Sequence, residues 1–255
     1  MLRLKNHQNQ RILRMKSFVL VWLLSFFSHR LIAQLKTNDS IFLQKAINHS
    51  VALYHLSLGD QSGLYNGSQY VGYSFTFKEG GQPYFYKDYT KGSIIYDQVL
   101  YYNIDLLYDE VADVLILKDG VRYIQLINNK ISRFTIGSNA FVQLAKEPTN
   151  MIKSGFYHIL YEGSINSVFK RETKTINEVL NSFEGIQRFI KTEQYYTIKN
   201  NNQYYLVNRK KDVLAIFKDH KKEIQQYIKS NKLNFKKERT NFLIKVCTYH
   251  DQLSN

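Results

Sequence analysis

Cysteine is almost absent from this 255-residue chain, which holds a single cysteine, Cys247. One thiol cannot form an internal disulfide, so the fold does not depend on the disulfide framework that many small secreted domains use. A catalytic thiol would need a histidine beside it, and His250 follows three residues later, within one helical turn. Because this spacing is common by chance, the preferred interpretation of Cys247 is a small buried apolar side chain.

The motifs of several enzyme and metal-site classes are also missing. The chain has no glycine-rich phosphate loop, no HExxH helix, no CxxC pair and no G-x-S-x-G elbow. Five of the histidines do not lie at zinc-site spacing from another type of metal ligand. These histidines are His49, His55, His158, His220 and His250. The sequence therefore predicts no metal and no other cofactor, and it assigns no catalytic residue.

No apolar run reaches the length of about 20 residues that a transmembrane helix requires. The longest, residues 17–27, has 11 uncharged residues, follows Lys16 and precedes a small residue, Ala33. This layout predicts a secretory signal peptide over residues 1–33, or one that begins at Met15. A buried N-terminal helix is the alternative. The mature chain is expected in the periplasm or at the cell surface, without a transmembrane span.

Acidic residues are scarce in the last quarter of the chain. Residues 188–255 contain 15 basic and 6 acidic residues, whereas residues 34–187 contain 14 basic and 15 acidic residues. A basic tail over about 210–255 favours an anionic partner, and for an exported chain an acidic glycan or an anionic lipid surface is favoured over nucleic acid. The alternative is a solvated face that maintains solubility. The candidate contacts are Lys218, Lys221, Lys222 and Lys229.

Aromatic and β-branched residues dominate from Tyr70 to Phe169, in short runs separated by turn residues about every ten positions. This pattern predicts an antiparallel β meander, and residues 195–207 predict one further hairpin. Residues 173–192 are interpreted as a loop with a short helix. The fold class is α+β, with roughly eight to ten strands in a curved sheet or a partly closed barrel. A helix over residues 40–58 precedes the sheet.

Two apolar stripes at helical spacing predict two closing helices. The first stripe consists of Val213, Phe217, Ile224 and Ile228, and the second of Phe242, Leu243, Val246, Tyr249 and Leu253. No linker or change of composition separates a second domain, so residues 34–255 are expected to form a single β-rich domain with a basic helical tail.

A tyrosine–aspartate pair occurs twice, as Tyr96-Asp97 and Tyr108-Asp109, and each pair is expected at a strand end. With Asp113, these are the candidate ligand-binding residues. Carboxylates are densest nearby and could coordinate calcium or act as an acid–base pair, although hairpin-end acids are ordinarily solvated. This acidic group consists of Asp105, Asp109, Glu110 and Asp113. The chain also has 20 tyrosines, whose exposed rings could stack on sugars or brace neighbouring strands.

Short segments across residues 40–253 carry a resemblance to uncharacterised exported proteins common in Gram-negative bacteria of the Bacteroidota type. These segments are Leu64-Tyr65-Asn66-Gly67 with Tyr70, Gly92-Ser93 with Tyr96-Asp97, Leu107-Tyr108-Asp109 with Asp113, Gly155-Phe156-Tyr157 with Leu160-Tyr161-Glu162-Gly163, and Tyr227-Ile228-Lys229 with Asn231-Lys232-Leu233. The resemblance implies a single domain in the bacterial envelope and implies no activity. The chain departs from the pattern at Gln98, where a glycine turn would follow Asp97.

Two functions therefore remain open from the sequence. The first is a non-catalytic binding or scaffold protein of the envelope, whose partner is an envelope protein, a glycan or an anionic lipid surface. The second is a hydrolase that acts on envelope glycans or other polymers through the acids between Asp105 and Asp113.

Overall fold

The computed structural model describes residues 63–78, 81–145 and 152–254, together with residues 46, 47, 50 and 54. The predicted signal peptide, and the predicted helix over residues 40–58 apart from those four positions, lie outside the described residues. The chain divides into two units, Met1–Tyr54 and His55–Asn255. All the elements named below belong to the second unit.

The described part of the second unit contains eleven strands and three α-helices. The strands are β1 (Ser68–Gln69), β2 (Thr90–Tyr96), β3 (Val99–Asp109), β4 (Val114–Asp119), β5 (Arg122–Gln125), β6 (Ile131–Ile136), β7 (Asn139–Leu144), β8 (Gly155–Glu162), β9 (Asn166–Asn181), β10 (Gly185–Asn200) and β11 (Gln203–Leu206). The helices are α1 (Lys210–Ile216), α2 (Lys221–Ser230) and α3 (Arg239–Leu253). None of these described helices combines the length and apolar character needed to span a membrane. The predicted α+β class is confirmed.

All eleven strands belong to one curved antiparallel sheet in the order β1-β5-β4-β3-β2-β6-β7-β8-β9-β10-β11. Most neighbours are consecutive in the chain, as a meander requires. There are two exceptions: β1 pairs with β5, and the crossover through residues 126–130 carries the chain from β5 to β6 beside β2. The amide of Asp97 donates to the carbonyl of Lys130 there (2.8 Å). The sheet does not close, so of the two predicted forms the curved sheet is confirmed.

The tight turns follow the chemistry of their residues. The β10–β11 turn places Asn201 and Asn202 at φ 46° and 64°, as a two-residue hairpin turn requires. The β2–β3 turn does the same with Asp97 and Gln98, at φ 48° and 66°. This turn is therefore tight although Gln98 replaces the expected glycine, and a left-handed conformation costs a non-glycine residue about 1 kcal/mol.

Three segments differ from the sequence-based prediction. Residues 173–192 form the long β9–β10 hairpin and not a loop with a helix, because cross-strand pairing stabilises an extended segment whose surface is largely solvated. The segment 70–77, at the start of the predicted meander, is irregular and contains no strand. The first closing helix is divided into α1 and α2 by a 3₁₀ turn at Lys218–His220. This break allows Phe217 to stack on His250, with ring centroids 4.3 Å apart.

Two main hydrophobic cores lie on the sheet. The first is formed by residues of β2–β8 and is rich in packed aromatic rings. Among these, Phe134 and Phe141 stack with their ring centroids 4.8 Å apart. The second packs the three helices against β9 and β10. It buries the whole first predicted stripe and the second stripe as far as Val246, whereas Leu253 at the end of the second stripe is exposed. Cys247 is fully buried in this core, and burial raises the pKa of its thiol. The interpretation of Cys247 as a small core side chain is confirmed.

His158 on β8 stacks on Phe141 with ring centroids 4.9 Å apart, and its Nδ1 has no hydrogen-bond partner among the described residues. Burial lowers the pKa of His158 to about 4. Because the unfolded chain binds this proton at a higher pH than the folded chain, we expect stability to fall as the pH decreases from about 6.5 to 4. The variant His158→Phe should lose less Tm between pH 7 and pH 4.5 than the parent protein. An identical loss in both proteins would contradict this assignment.

Candidate functional site

Of the acidic group predicted from the sequence, Asp105 lies within β3 and pairs with Lys91 Nζ at the surface (3.0 Å), whereas Asp109, Glu110 and Asp113 lie at the β3–β4 turn, packed against β9. Asp109 is only 1% exposed and Glu110 only 4% exposed. The backbone joins the two elements, since the amide of Lys174 on β9 donates to the carbonyl of Glu110 (3.1 Å). These acids are therefore part of the protein interior and not solvated turn residues.

Asp109 is surrounded by internal hydrogen-bond donors. Its Oδ2 accepts from the hydroxyls of Tyr70 (2.8 Å) and Tyr73 (2.9 Å). Its Oδ1 accepts from the amides of Val111 (2.9 Å) and Ala112 (3.0 Å). Burial is the main cause that raises the pKa of both tyrosines, and the nearby carboxylate adds to it. Asp109 thus pins the irregular segment 70–77 to the end of β3.

The other acids of this turn form ion pairs with β9. Glu110 Oε2 lies 2.9 Å from Lys174 Nζ, and both side chains are almost fully buried. Asp113 accepts from the hydroxyl of Tyr108 (2.7 Å) and from Arg171 Nη2 (2.9 Å). Burial raises the pKa of the Glu110 carboxyl even though Lys174 opposes the shift. The turn is thereby fastened to β9.

The predicted ligand-binding residues do not form one open site. They are Tyr96, Asp97, Tyr108, Asp109 and Asp113, and most of them are buried or engaged by other side chains. Tyr108 is 2% exposed, and Asp113 is engaged by Arg171. Tyr96 is fully buried and accepts from the amide of Ile127 (3.4 Å). Asp97 lies at the surface in an ion pair with Lys130 (2.6 Å). Among the described residues, no three His, Cys, Asp or Glu side chains are arranged to hold a metal ion.

A second buried polar cluster joins α3 to the β8–β9 turn. Asp251 accepts from the hydroxyl of Tyr161 (2.7 Å) and from both the backbone amide (3.1 Å) and Nδ2 (2.6 Å) of Asn166. Asn166 Nδ2 also lies 2.9 Å from His250 Nδ1, which assigns that nitrogen as the acceptor. Burial lowers the pKa of His250. The described hydrogen bonds to the Asp251 carboxylate therefore all come from within the protein. The cluster of Asp251, Tyr161 and Asn166 is called the clamp below.

Tyrosine rings also line an outer cavity of about 470 Å³ formed by residues 73–77 and 81–87, with Phe75 and Phe77 beside Tyr73 and Tyr84. The hydroxyl of Tyr73 is held by Asp109, and the rings of Phe75 and Phe77 pack edge to face at 5.4 Å. These aromatic side chains brace the irregular segment against the sheet.

A concave surface lies between β10 and the start of α3. A cavity of about 610 Å³ is lined by Gln194, Tyr196, Lys236, Lys237, Glu238, Arg239, Thr240 and Asn241. A cavity of about 390 Å³ adjoins it and is lined by Asn208, Arg209, Lys210, Leu233, Asn234, Phe235, Lys236 and Arg239. The two share Lys236 and Arg239, and together they are called the basic cleft below.

Positive charge in the basic cleft is largely uncompensated. Lys210, Lys236, Lys237 and Arg239 form no ion pair with any described residue. The guanidinium of Arg239 lies over the rings of Phe235 (5.0 Å) and Tyr196 (5.4 Å), which hold its planar fork in place. Glu238 is the one acid of the lining, and its carboxylate accepts from Asn241 Nδ2 (3.0 Å). The cleft is therefore a preorganised positive surface.

The lysines predicted to contact an anionic partner lie outside this cleft. Lys218 is on the 3₁₀ turn, and Lys221, Lys222 and Lys229 are on α2; all four are exposed. The basic tail was recognised from its charge, but the residues that line a cavity were missed. The run Lys236-Lys237-Glu238-Arg239, placed directly before a helical stripe, was the available signal.

Comparison with known proteins yields no match: no family model, no curated protein and no solved structure matches this chain. The resemblance to exported proteins of Bacteroidota-type bacteria therefore rests on the short segments alone.

Proposed function

We propose that the protein is an exported, non-catalytic binding protein of the bacterial envelope and that it recognises an acidic glycan through the basic cleft. One observation carries the proposal: four cations without an ion-pair partner in the described structure surround two adjoining cavities. The signal peptide predicted over residues 1–33 and the resemblance to exported proteins support the location.

The chemistry of the lining favours a glycan that carries carboxylate or phosphate groups. The fork of Arg239 can donate two parallel hydrogen bonds to either group, and Lys236 and Lys237 add charge. Gln194, Thr240 and Asn208 supply neutral donors and acceptors that suit sugar hydroxyls. Two adjoining cavities would accommodate more than one sugar residue.

The acids of the β3–β4 turn that would serve the alternative hydrolase are engaged internally, which supports a binding role. Asp109 accepts hydrogen bonds from four donor groups of the protein, and Asp113 is paired with Arg171. A pair of acids that cleaves a glycosidic bond needs access to the sugar and, at some stage, to water.

The double variant Lys236→Ala/Lys237→Ala should weaken binding to polygalacturonate, an acidic polysaccharide, by about tenfold, which corresponds to about 1.4 kcal/mol. The matched control is Lys221→Ala/Lys222→Ala, which removes the same charge from exposed positions outside the cleft. Titration calorimetry should give little change for the control, no binding to neutral dextran, and weaker binding at high salt.

Equal losses in the two double variants would show that the attraction is diffuse and would contradict a site in the cleft. Arg239→Lys separates charge from geometry, because it retains the cation and loses the planar fork. It should also weaken binding. Unchanged affinity in this variant would show that Arg239 contributes only charge and would contradict the proposed bidentate contact.

A further inference from the structure

The end of the β9–β10 hairpin presents apolar side chains to solvent. Phe183 is 98% exposed, Leu180 80%, Ile186 54% and Val179 52%. Four large apolar side chains therefore lie within eight residues at the end of this hairpin, here called the hairpin tip, and two of them, Leu180 and Ile186, are cross-strand partners. Exposed apolar residues scattered singly are ordinary, whereas such a concentration indicates an interaction site.

The hairpin tip is built to hold its shape. Asn181 Oδ1 accepts from the amides of Phe183 (2.9 Å) and Glu184 (3.2 Å), and Gly185 closes the turn at φ 73°. Strand pairing is continuous from the tip to the base of the hairpin. The pairing of β8 with β9 reaches only Lys170, so in the described structure the outer part of the hairpin extends beyond its sheet neighbours.

We propose that the hairpin tip inserts into the interfacial region of a lipid bilayer. An apolar patch on the order of a few hundred Å² is well below the surface of about 800 Å² per partner that a stable protein–protein interface buries. A narrow convex tip would also need a matching pocket on a protein partner. A bilayer needs no such pocket, and aromatic and aliphatic side chains favour the boundary between headgroups and acyl chains.

The charges near the hairpin tip are already neutralised by partners. Glu178 is paired with Arg188 (2.7 Å), and Glu184 is paired with Lys78 (2.6 Å). The amides of Phe183 and Glu184 are satisfied by Asn181. Shallow insertion of the tip would therefore bring few unpaired charges or amides towards the acyl chains.

The proposed insertion adds a second surface to the molecule and does not depend on the basic cleft. Ile186 at the hairpin tip and Gln194 in the cleft are eight residues apart on β10. At about 3.4 Å per residue the strand separates them by about 27 Å. An inserted tip would hold the cleft outside the bilayer, where it faces envelope polymers.

Tryptophan fluorescence provides a direct test, because the chain has one tryptophan, Trp22, outside the described residues. In the double variant Trp22→Phe/Phe183→Trp, vesicles of phosphatidylethanolamine and phosphatidylglycerol should shift the emission to the blue. Lipids brominated in their acyl chains should quench it. The matched control is Trp22→Phe/Val121→Trp, since Val121 is 91% exposed at the β4–β5 turn. Its emission should not change.

Unchanged emission from position 183, or equal shifts at both positions, would overturn the proposal. Co-sedimentation with the same vesicles gives a second measurement: Phe183→Asp should reduce vesicle binding about tenfold, and Val121→Asp should leave it intact. A dimer formed through the tip without lipid, detected by sedimentation velocity and abolished by Phe183→Asp, would also overturn it. Binding of Phe183→Asp to polygalacturonate should be unchanged, which separates this inference from the proposed function.

Discussion

Replacing Lys174 with methionine should lower the free energy of unfolding by about 3 to 5 kcal/mol, because it leaves a carboxylate buried without its partner. Lys174 Nζ lies 2.9 Å from Glu110 Oε2 and also donates to the carbonyls of Gln82 (3.0 Å) and Tyr84 (2.8 Å). One ammonium group therefore holds the β3–β4 turn and residues 82–84 against β9. Guanidinium denaturation at pH 7 measures the change.

The matched control for this prediction is Lys191→Met on the same hairpin. Lys191 pairs with Glu193 at 2.8 Å, but both side chains are about half exposed. Exposed ion pairs contribute little, so this variant should retain nearly the full stability of the parent protein. Similar losses in Lys174→Met and Lys191→Met would contradict the assignment of the Lys174 pair as a buried structural contact.

The pH dependence of Lys174→Met provides an independent check. Burial already raises the pKa of Glu110, and removing Lys174 removes the charge that opposes the shift. The folded chain then binds a proton more tightly than the unfolded chain. The variant should therefore regain stability as the pH falls towards the raised pKa of Glu110. The double variant Glu110→Gln/Lys174→Met should be more stable than Lys174→Met at pH 7.

Replacing Asp251 with alanine should destabilise the C-terminal helices by about 3 kcal/mol or more, because buried donors lose their acceptor. These donors are the hydroxyl of Tyr161 and two N–H groups of Asn166. Loss of the clamp should release α3 from the β8–β9 turn. Hydrogen exchange should show reduced protection in α3, and denaturation should give the loss in stability.

The control for Asp251→Ala is Asp219→Ala, which removes an exposed carboxylate from the neighbouring 3₁₀ turn and should have little effect. Gly163→Ala tests the same contact from the other side. A Cβ at Gly163 would overlap the carboxylate of Asp251 and the ring of Tyr161, so this variant should also loosen α3. Full protection of α3 in both Asp251→Ala and Gly163→Ala would contradict the clamp.

The sequence allowed good predictions wherever the signal is local. The hairpin around Asn201 and Asn202 follows from residues that tolerate positive φ, and the apolar stripes on the closing helices identify the buried face. The β9–β10 hairpin was missed because its outer part is exposed, which weakens the alternation of apolar and polar residues that marks a strand. The division of the first closing helix into α1 and α2 was also missed, because it depends on the packing of Phe217 against His250.

The candidate site shows most clearly which features follow from local sequence signals and which depend on contacts between residues far apart in the chain. Composition and turn residues determined the α+β class, the main strands and the basic tail, because these signals act within a few residues. Only the tertiary structure decided that the acids of the β3–β4 turn are internal and that Lys236 and Arg239 line a cleft. The reason is distance along the chain: Asp113 meets Arg171 across 58 residues, and Tyr161 meets Asp251 across 90. No local pattern specifies such pairs, because folding of the sheet brings them together.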